Sequence, residues 1–373
     1  MNTLLELQKR GQSIWLDYIS RDVIASGHLH SMIENDGLRG VTSNPSIFEQ
    51  AIDSGTDYDA WLAKLFERSP QTGAKEVYDE LAIEDVRNAA DVLRPKYEES
   101  GGADGFVSLE PPPQLTGDTA ATLAEARRLW HTVNRPNLMI KVVATPQGVQ
   151  AVDTLISEGI NVNITLMFSM RHYEAVTSAY MRGLQRCSRP ERVASVASFF
   201  VSRVDTQVDK LLEANGSSEA LALRGSIAIA NARLVYRRFV EIFHGDAFST
   251  LRSRGARAQR PLWASTSTKN PHYRDVLYVE ELIGPETVNT LPLKTLEAFR
   301  DHGRVRGATV SESWAESEQK LNTLATLGID LNAIAERLQV DGVASFAAAY
   351  SKVIGALERK REAMIPARRF SGA

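Results

Sequence analysis

One lysine lies in the middle of a short apolar segment. Residues 137–145 read NLMIKVVAT, with Lys141 at the centre and the β-branched Val142 and Val143 directly after it. This composition predicts a strand that is buried on both faces. A buried ammonium group costs several kcal/mol unless it is paired or loses its proton. We therefore expect Lys141 to be either salt-bridged or kept partly neutral.

A neutral lysine is a nucleophile. An ordinary lysine has a pKa of about 10.4, so only about one molecule in a thousand carries a free amine near neutral pH. Lowering the pKa of a lysine by about 3 units removes most of that limit, and the free amine then attacks a ketone to form a Schiff base. The alternative is a structural lysine that pairs with a carboxylate or extends out of a strand end, which is the commoner outcome for an isolated lysine.

Strand and helix patterns alternate eight times along the chain, and no block of consecutive strands appears. Strands are predicted at residues 13–18, 38–42, 105–109, 137–145, 160–167, 193–201, 260–265 and 287–291. This order predicts parallel strands with crossover helices, closed into a (β/α)₈ TIM barrel of the α/β class. A doubly wound sheet is the main alternative, but it would require a glycine-rich turn after the first strand, and none follows SIWLDY.

The chain is longer than a minimal barrel. It has 373 residues, whereas a typical barrel has about 250. We assign the excess to a helical insertion at about 46–98 and a helical C-terminal extension at about 311–363, and we expect both to belong to one barrel domain spanning 1–373. Residues 20–36 and 218–243 are each predicted as helical, the extension as helices at 311–326, 331–338 and 340–363, and the last ten residues as frayed.

Polar residues follow the predicted strands, where the chemistry of a TIM barrel is found. They are Asp17, Thr42, Asn44, Glu110, Lys141, Asn163, Thr165, Ser198, Arg203, Ser265 and Lys269. Each has an ordinary explanation when it is taken alone, such as a helix cap for Asp17 or a turn at Asn44-Pro45. Grouped around one buried lysine, they indicate a shared site.

Together these side chains could cleave or join a sugar phosphate. Asp17 and Glu110 could move protons during carbinolamine dehydration and carbon–carbon cleavage, one of them ionised while the other relays a proton through water. The amide and hydroxyl groups could hold sugar hydroxyls. Arg203, with Ser265, suits a phosphate, because guanidinium offers a bidentate fork. The iminium is itself the electron sink, so we expect no cofactor and no metal.

The bulk composition bounds the remaining possibilities. A formal net charge of −3 gives no global basic surface, so nucleic-acid binding has no support. Cys187 is the only cysteine, and His28 and His30 are predicted to be a surface pair, not a metal site. No run of about 18 apolar residues predicts a membrane span, so we expect no membrane association and a cytoplasmic location. The sequence does not distinguish a monomer from a homo-oligomer.

Several segments match one enzyme family. The most specific are GVTSNPSIF at 40–48 and NLMIKVVAT around Lys141, and the supporting ones are VSLE at 107–110, INVNITLMFS at 160–169, SFFVSRVD at 198–205 and NTLPLKTLEAF at 289–299. At these residues the chain resembles the transaldolases, which are class I Schiff-base aldolases. The resemblance implies a barrel enzyme of the pentose phosphate pathway. Its reaction moves a dihydroxyacetone unit from sedoheptulose 7-phosphate to glyceraldehyde 3-phosphate, giving erythrose 4-phosphate and fructose 6-phosphate.

The resemblance also implies roles for individual residues. Lys141 matches the Schiff-base lysine, Asp17 the acid/base aspartate, and Glu110 with Thr165 the pair that positions a catalytic water. Substrate contacts are implied for Asn44, Asn163, Ser198, Arg203 and Ser265, and Thr42 lies in the T-S-N-P-S signature.

The chain departs from the common pattern after the seventh strand. Many members have S-x-R there and so gain a second phosphate arginine, but this chain has Ser267 at that position, with Lys269 as a candidate replacement charge. The substitution is typical of a longer subgroup with STxxKNP. Two other functions stay open, namely a related aldolase that cleaves fructose 6-phosphate without an acceptor, and a barrel that binds sugar phosphates without turnover.

Overall fold

Eight parallel strands close into a barrel in the order in which they occur along the chain. The structure is a computed structural model and describes residues 2–53 and 55–365. The strands are β1 (Gln12–Leu16), β2 (Gly40–Thr42), β3 (Phe106–Leu109), β4 (Leu138–Val143), β5 (Val162–Met167), β6 (Ser195–Phe200), β7 (Arg260–Ala264) and β8 (Thr287–Leu291). Strand β8 pairs with β1 and completes the ring. The predicted (β/α)₈ barrel is therefore confirmed.

Helices surround the barrel and extend over one end of it. They are α1 (Thr3–Lys9), α2 (Arg21–Ala25), α3 (His28–Asn35), α4 (Pro45–Asp53), α5 (Asp59–Arg68), α6 (Ala74–Glu99), α7 (Thr119–Val133), α8 (Pro146–Ser157), α9 (Met170–Arg186), α10 (Ser202–Asn215), α11 (Ser218–Ala222), α12 (Ile227–Phe243), α13 (Ser249–Ser253), α14 (Leu277–Glu281), α15 (Leu293–His302), α16 (Trp314–Thr326) and α17 (Leu331–Met364). Side-chain caps start several of them, as at Asp118, whose carboxylate accepts from the amide of Ala121 at 3.0 Å.

The helix predictions need four corrections. Residues 20–36 form two helices, α2 and α3, because Gly27 between them has a φ of 79°, a left-handed conformation that interrupts an α-helix. Residues 218–243 are divided in the same way near Gly225, with a φ of 67°. The predicted helices 331–338 and 340–363 are instead the continuous α17. Helix α15 follows Pro292 and was missed. Most of the predicted frayed end, from residue 366, lies outside the described residues.

Aromatic packing and an ion pair close the barrel opposite the strand ends that carry the polar residues. Trp15 lies against Gly40 of the neighbouring strand, where a Cβ would come within 2.5 Å of the indole, so only glycine fits. The indole nitrogen donates to Asp104 at 2.9 Å, and Arg260 contacts the same carboxylate. This end of the barrel is thus filled by structural contacts.

Helix α17 crosses the other end of the barrel. Near its start, Gln339 contacts the ends of β4 and β5, and further along Phe346 lines the central cavity. Near its end, Arg359 and Lys360 contact Asp53 and Asp59 of the insertion, with Lys360 donating at 2.5 Å. Among the described helices, α17 alone has the length and hydropathy that a membrane span would need. Part of its apolar surface is buried in the core of the protein, at Leu338, Phe346, Val353 and Leu357.

A buried ion pair fixes the insertion beside the first strand end. Asp85 on α6 is fully buried, and it accepts from Arg21 Nη2 at 2.8 Å and from the Tyr58 hydroxyl at 2.8 Å. The Arg21 guanidinium also stacks over Trp61, 4.9 Å from the ring centroid. Arg21 begins the helix just after Asp17, so this cluster ties α5 and α6 to the site.

We expect Asp85→Ala to lower the free energy of unfolding by about 3 kcal/mol, because removing one partner of a buried pair leaves an uncompensated charge. The midpoint of urea unfolding measures the loss. Glu98→Ala is the matched control, since Glu98 lies on the same helix in an exposed pair with Arg94, and exposed pairs contribute about 0.5 kcal/mol or less. Equal effects of the two substitutions would show that the cluster does not stabilise the fold.

Candidate active site

Lys141 lies inside the barrel, in the middle of β4. Lys141 is 5% exposed, and its Nζ donates to the carbonyl oxygen of Ser43 at 3.1 Å. Among residues 2–53 and 55–365 it forms no ion pair with a carboxylate. Of the two alternatives for Lys141, a structural ion pair is therefore not found in the described part of the chain, and the residue lines the cavity at the barrel mouth.

Asp17 follows β1 and is held by a pair of threonines. Thr42 Oγ1 donates to Asp17 Oδ1 at 2.7 Å and lies 2.7 Å from the hydroxyl of Thr290. Since the Thr42 proton goes to the carboxylate, Thr290 donates in turn to Thr42. Burial raises the pKa of Asp17, while the nearby Lys141, the hydrogen bond from Thr42 and the charge of Arg203 oppose that shift.

Glu110 follows β3 and has a second buried carboxyl group. Both of its carboxylate oxygens are buried and lack a hydrogen-bond partner among the described residues. Burial raises the pKa of Glu110 to about 7, with Lys141 acting against the rise and Asp17 adding to it. A small cavity beside it is also lined by Lys141. Glu110 can therefore take up or release a proton near neutral pH.

Asn163 is a predicted residue that does not line the central cavity. It is fully buried on β5, opposite Lys141 in the register of the two strands. Its amide nitrogen donates to Ser108 Oγ at 3.0 Å, and its oxygen accepts from Ser198 Oγ at 2.6 Å. The structure thus places Asn163 as a bridge between β3 and β6, where it orients the Ser198 hydroxyl.

Nine of the predicted residues line one cavity at the C-terminal ends of the strands. Its volume is about 180 Å³. The predicted residues on its wall are Asp17, Thr42, Asn44, Lys141, Thr165, Ser198, Arg203, Ser265 and Lys269. Asn44 also caps α4, since its side-chain oxygen accepts from the amide of Ser46 at 3.0 Å. The Thr165 hydroxyl is buried and has no partner in the described part of the chain.

Positive charge is concentrated on the β6 and β7 side of the cavity. The Arg203 guanidinium stacks on Phe200, 5.3 Å from the ring centroid, and forms no ion pair with a described carboxylate. Partial loss of solvent and the charge of Arg203 lower the pKa of Lys269. Two cations that lie close together and form no ion pair with a carboxylate of the described residues form a favourable place for a phosphate.

Backbone geometry also shapes this side of the cavity. Ser265, directly after β7, has a φ of 55°, which is uncommon for a residue other than glycine. Its hydroxyl lies 2.9 Å from that of Ser202, and its carbonyl accepts from the Ser202 amide at 3.0 Å. These contacts join β7 to the start of α10, the helix that carries Arg203.

Sequence reasoning missed several residues on the cavity wall. They are Ser46, Phe200, Ala264, Ser267, Thr290, Pro292 and Phe346. Phe200 could have been found, because it is two residues from Ser198 on the same strand and therefore shares its face. Thr290 is a polar residue of the eighth strand and could also have been found. Phe346 could not, because it reaches the cavity from the distant helix α17.

The histidine pair lies away from this cavity. His28 and His30 are both exposed on α3. The described residues contain no group of three or more His, Cys, Asp or Glu side chains that could hold a metal ion.

The comparisons with known proteins agree with this site. Residues 14–357 match the family described as Transaldolase/Fructose-6-phosphate aldolase. A transaldolase of Mycobacterium ulcerans is 46% identical over 366 residues, which cover 97% of this chain and 98% of that protein. A transaldolase of Thiobacillus denitrificans is 48% identical, with 95% of this chain and 99% of that protein covered.

Transaldolase 1 of Streptomyces coelicolor is also 48% identical, over 95% of this chain and 94% of its own length. The match extends over all eight strands and into α17. The resemblance that the sequence motifs suggested is thereby confirmed, and the chain belongs to the transaldolase/fructose-6-phosphate aldolase family.

Proposed function

We propose that the protein is a transaldolase that uses Lys141 as its nucleophile. It transfers a dihydroxyacetone unit from sedoheptulose 7-phosphate to glyceraldehyde 3-phosphate, and the products are erythrose 4-phosphate and fructose 6-phosphate. The observation that carries the proposal is a buried lysine that forms no ion pair among the described residues and faces a cavity also lined by Asp17 and Arg203. The roles of the other residues follow from their places around it.

The first half of the reaction forms the Schiff base. Lys141 Nζ attacks the ketone carbon, and the carbinolamine loses water to give an iminium ion. Glu110 suits the proton transfers of this step, because its pKa of about 7 lets it serve as acid or base. The unpartnered Thr165 hydroxyl could hold the departing water beside it.

The second half breaks and remakes a carbon–carbon bond. A base removes the proton from the C4 hydroxyl, the C3–C4 bond breaks, and its electrons move into the iminium to give an enamine. Asp17 suits this role because Thr42 orients its carboxylate and the charges of Lys141 and Arg203 favour its ionised form. The enamine then attacks the acceptor aldehyde, and hydrolysis releases the new ketose and restores Lys141.

An aldolase that releases the three-carbon unit without an acceptor is the second candidate, because the family description names fructose-6-phosphate aldolase as well. The relatives at 44% to 48% identity favour transfer, since their names give transaldolase. Turnover of fructose 6-phosphate with and without erythrose 4-phosphate separates the two. A transaldolase requires the acceptor for sustained turnover.

We also infer that the insertion and the C-terminal helices form one domain with the barrel. The insertion is held to the first strand end by the Asp85 cluster, and α17 contacts both β5 and the insertion. A cytoplasmic location stays a prediction.

Borohydride trapping tests the nucleophile. After incubation with fructose 6-phosphate, reduction and digestion, we expect a three-carbon adduct on Lys141. Lys141→Met removes the amine while keeping most of the side-chain volume, and we expect it to lower kcat by about a thousandfold or more. Lys294→Met is the control, because Lys294 is exposed on α15. Unaltered turnover in Lys141→Met, or an adduct on another lysine, would overturn the assignment.

Kinetics with two ketoses test the phosphate site. We expect Arg203→Met to raise the KM for fructose 6-phosphate by about 10-fold to 100-fold, because a charge-assisted hydrogen bond contributes about 1.5–3 kcal/mol. The KM for unphosphorylated fructose should change much less. Arg300→Met serves as the control, since Arg300 lies outside the cavity on α15. Equal increases for both sugars would remove the phosphate role.

The raised pKa of Glu110 predicts a pH-dependent stability. Its folded value of about 7 exceeds the ordinary 4.5, so between these values the folded protein binds more protons than the unfolded chain. Stability from this group is therefore present below pH 4.5 and lost as the pH rises through 7. Relative to the wild type, Glu110→Gln should gain about 3 kcal/mol in unfolding free energy between pH 5 and pH 8. Urea unfolding across this range measures it, with Glu98→Gln as the exposed control. A difference that stays constant with pH would contradict the raised pKa.

A further inference from the structure

Strand β5 ends irregularly, directly beside the site. Its register with β6 shifts between Ile164 and Met167, and Leu166 has a φ of 59°. This conformation is strained for a residue with a branched side chain and persists only where surrounding contacts impose it. Leu166 immediately follows Thr165, whose hydroxyl faces the cavity. The contacts that hold the backbone of Leu166 in this conformation therefore also orient Thr165.

Helix α17 supplies those contacts from about 170 positions further along the chain. Gln339 Nε2 donates to the carbonyl oxygen of Leu166 at 3.0 Å and to that of Ala144 at 3.1 Å. Ala144 comes directly after β4, the strand that carries Lys141. One buried amide, on a residue that is 6% exposed, thus fixes the ends of both strands that carry Lys141 and Thr165.

A second contact from the same helix fixes the next residues of the segment. His172 Nδ1 accepts from the Phe168 amide at 3.3 Å, so its Nε2 carries the proton and faces Glu336 Oε1 at 3.3 Å. Burial lowers the pKa of His172, which favours this neutral form. Glu336 precedes Gln339 by three residues, so both lie on one face of α17.

The close approach of the helix depends on a small residue on that face. At Gly342 an added Cβ would lie 2.9 Å from Leu166 Cδ2 and 3.5 Å from Arg203 Nη1. Four residues later on the same face, Phe346 lines the cavity. The helix therefore rests directly on the strained residue and beside the guanidinium.

We propose that Gln339 is a positioning residue for the reaction of Lys141, acting through the backbone of Leu166 and Ala144. Gln339 is not among the residues that line the cavity. Its amide holds the ends of β4 and β5 in register, so that the Lys141 amine and the Thr165 hydroxyl face the same point of the cavity. The kinetic part of this inference rests on the proposed transaldolase function, whereas the structural part does not.

Gln339→Met tests the proposal, because it keeps the length of the side chain and removes the amide. We expect kcat to fall by about tenfold or more, since misplacing a reactive group by about 1 Å can cost a hundredfold. The KM for fructose 6-phosphate should stay within about threefold, because Arg203 and Ser265 do not depend on the amide. Ser351→Met on the same helix is the control, since Ser351 is exposed and bonds only within the helix.

Hydrogen–deuterium exchange measures the structural part separately. In Gln339→Met, peptides covering residues 162–169 should take up deuterium faster than in the wild type, and those from Ser351→Met should not. This measurement decides the proposal even if the wild type fails to trap a substrate on Lys141, which would overturn only the proposed function.

Three results would overturn the role of Gln339. They are a kcat within twofold of the wild type, unchanged exchange at 162–169, or a loss of kcat that equals the loss of folded protein. Should Gln339→Met fail to fold, Gln339→Leu replaces it, because leucine also lacks the amide that donates to the two carbonyls. The same fall in kcat and the same faster exchange at 162–169 are expected, and a kcat within twofold of the wild type would contradict the proposal.

Discussion

The site depends on burying one lysine away from solvent, although no described carboxylate forms an ion pair with it. Lys141 is buried, bonds to the carbonyl of Ser43, and has no described carboxylate in contact. Asp17 and Glu110 lie near enough to act on it electrostatically. Burial raises the pKa of both carboxyl groups, and attraction to Lys141 opposes part of that rise. The protonation of the two carboxyl groups is coupled, because the charge of Asp17 raises the pKa of Glu110. Such a cluster can pass protons internally while the substrate is covalently attached.

The cavity separates two kinds of chemistry around the barrel. Strands β1 to β5 supply the nucleophile and the proton-transfer groups, whereas β6 and β7 lead to Arg203, Ser265 and Lys269. Arg203 contributes only the weakest of the effects that oppose the raised pKa of Asp17. A phosphate bound beside Arg203 would reduce that effect further, so substrate binding itself would make Asp17 a stronger base.

The sequence was informative where structure is local. Polar residues after strands could be assigned to one end of the barrel because parallel strands present their carboxyl ends together, and the break at Gly27 could have been read from a glycine inside a helical pattern. Contacts between distant segments could not be predicted. The position of Phe346, the bonds from Gln339 and the contacts of Asn163 depend on how helices and strands dock, which no local pattern specifies. The sequence likewise could not predict that Lys141 forms no ion pair among the described residues, because ion pairing depends on the three-dimensional structure.

The long C-terminal helix supplies hydrogen-bond donors to two strand ends of the barrel. Ala144 and Leu166 lie buried at the ends of β4 and β5, and buried backbone carbonyls require donors. In an open barrel water could bond to them, but solvent that reached the enamine could protonate it, and hydrolysis would then release the three-carbon unit before an acceptor arrived. A protein donor removes that conflict, because Gln339 satisfies both carbonyls while α17 covers the cavity. The same helix therefore permits the strained strand end and excludes the solvent that would otherwise be needed to stabilise it.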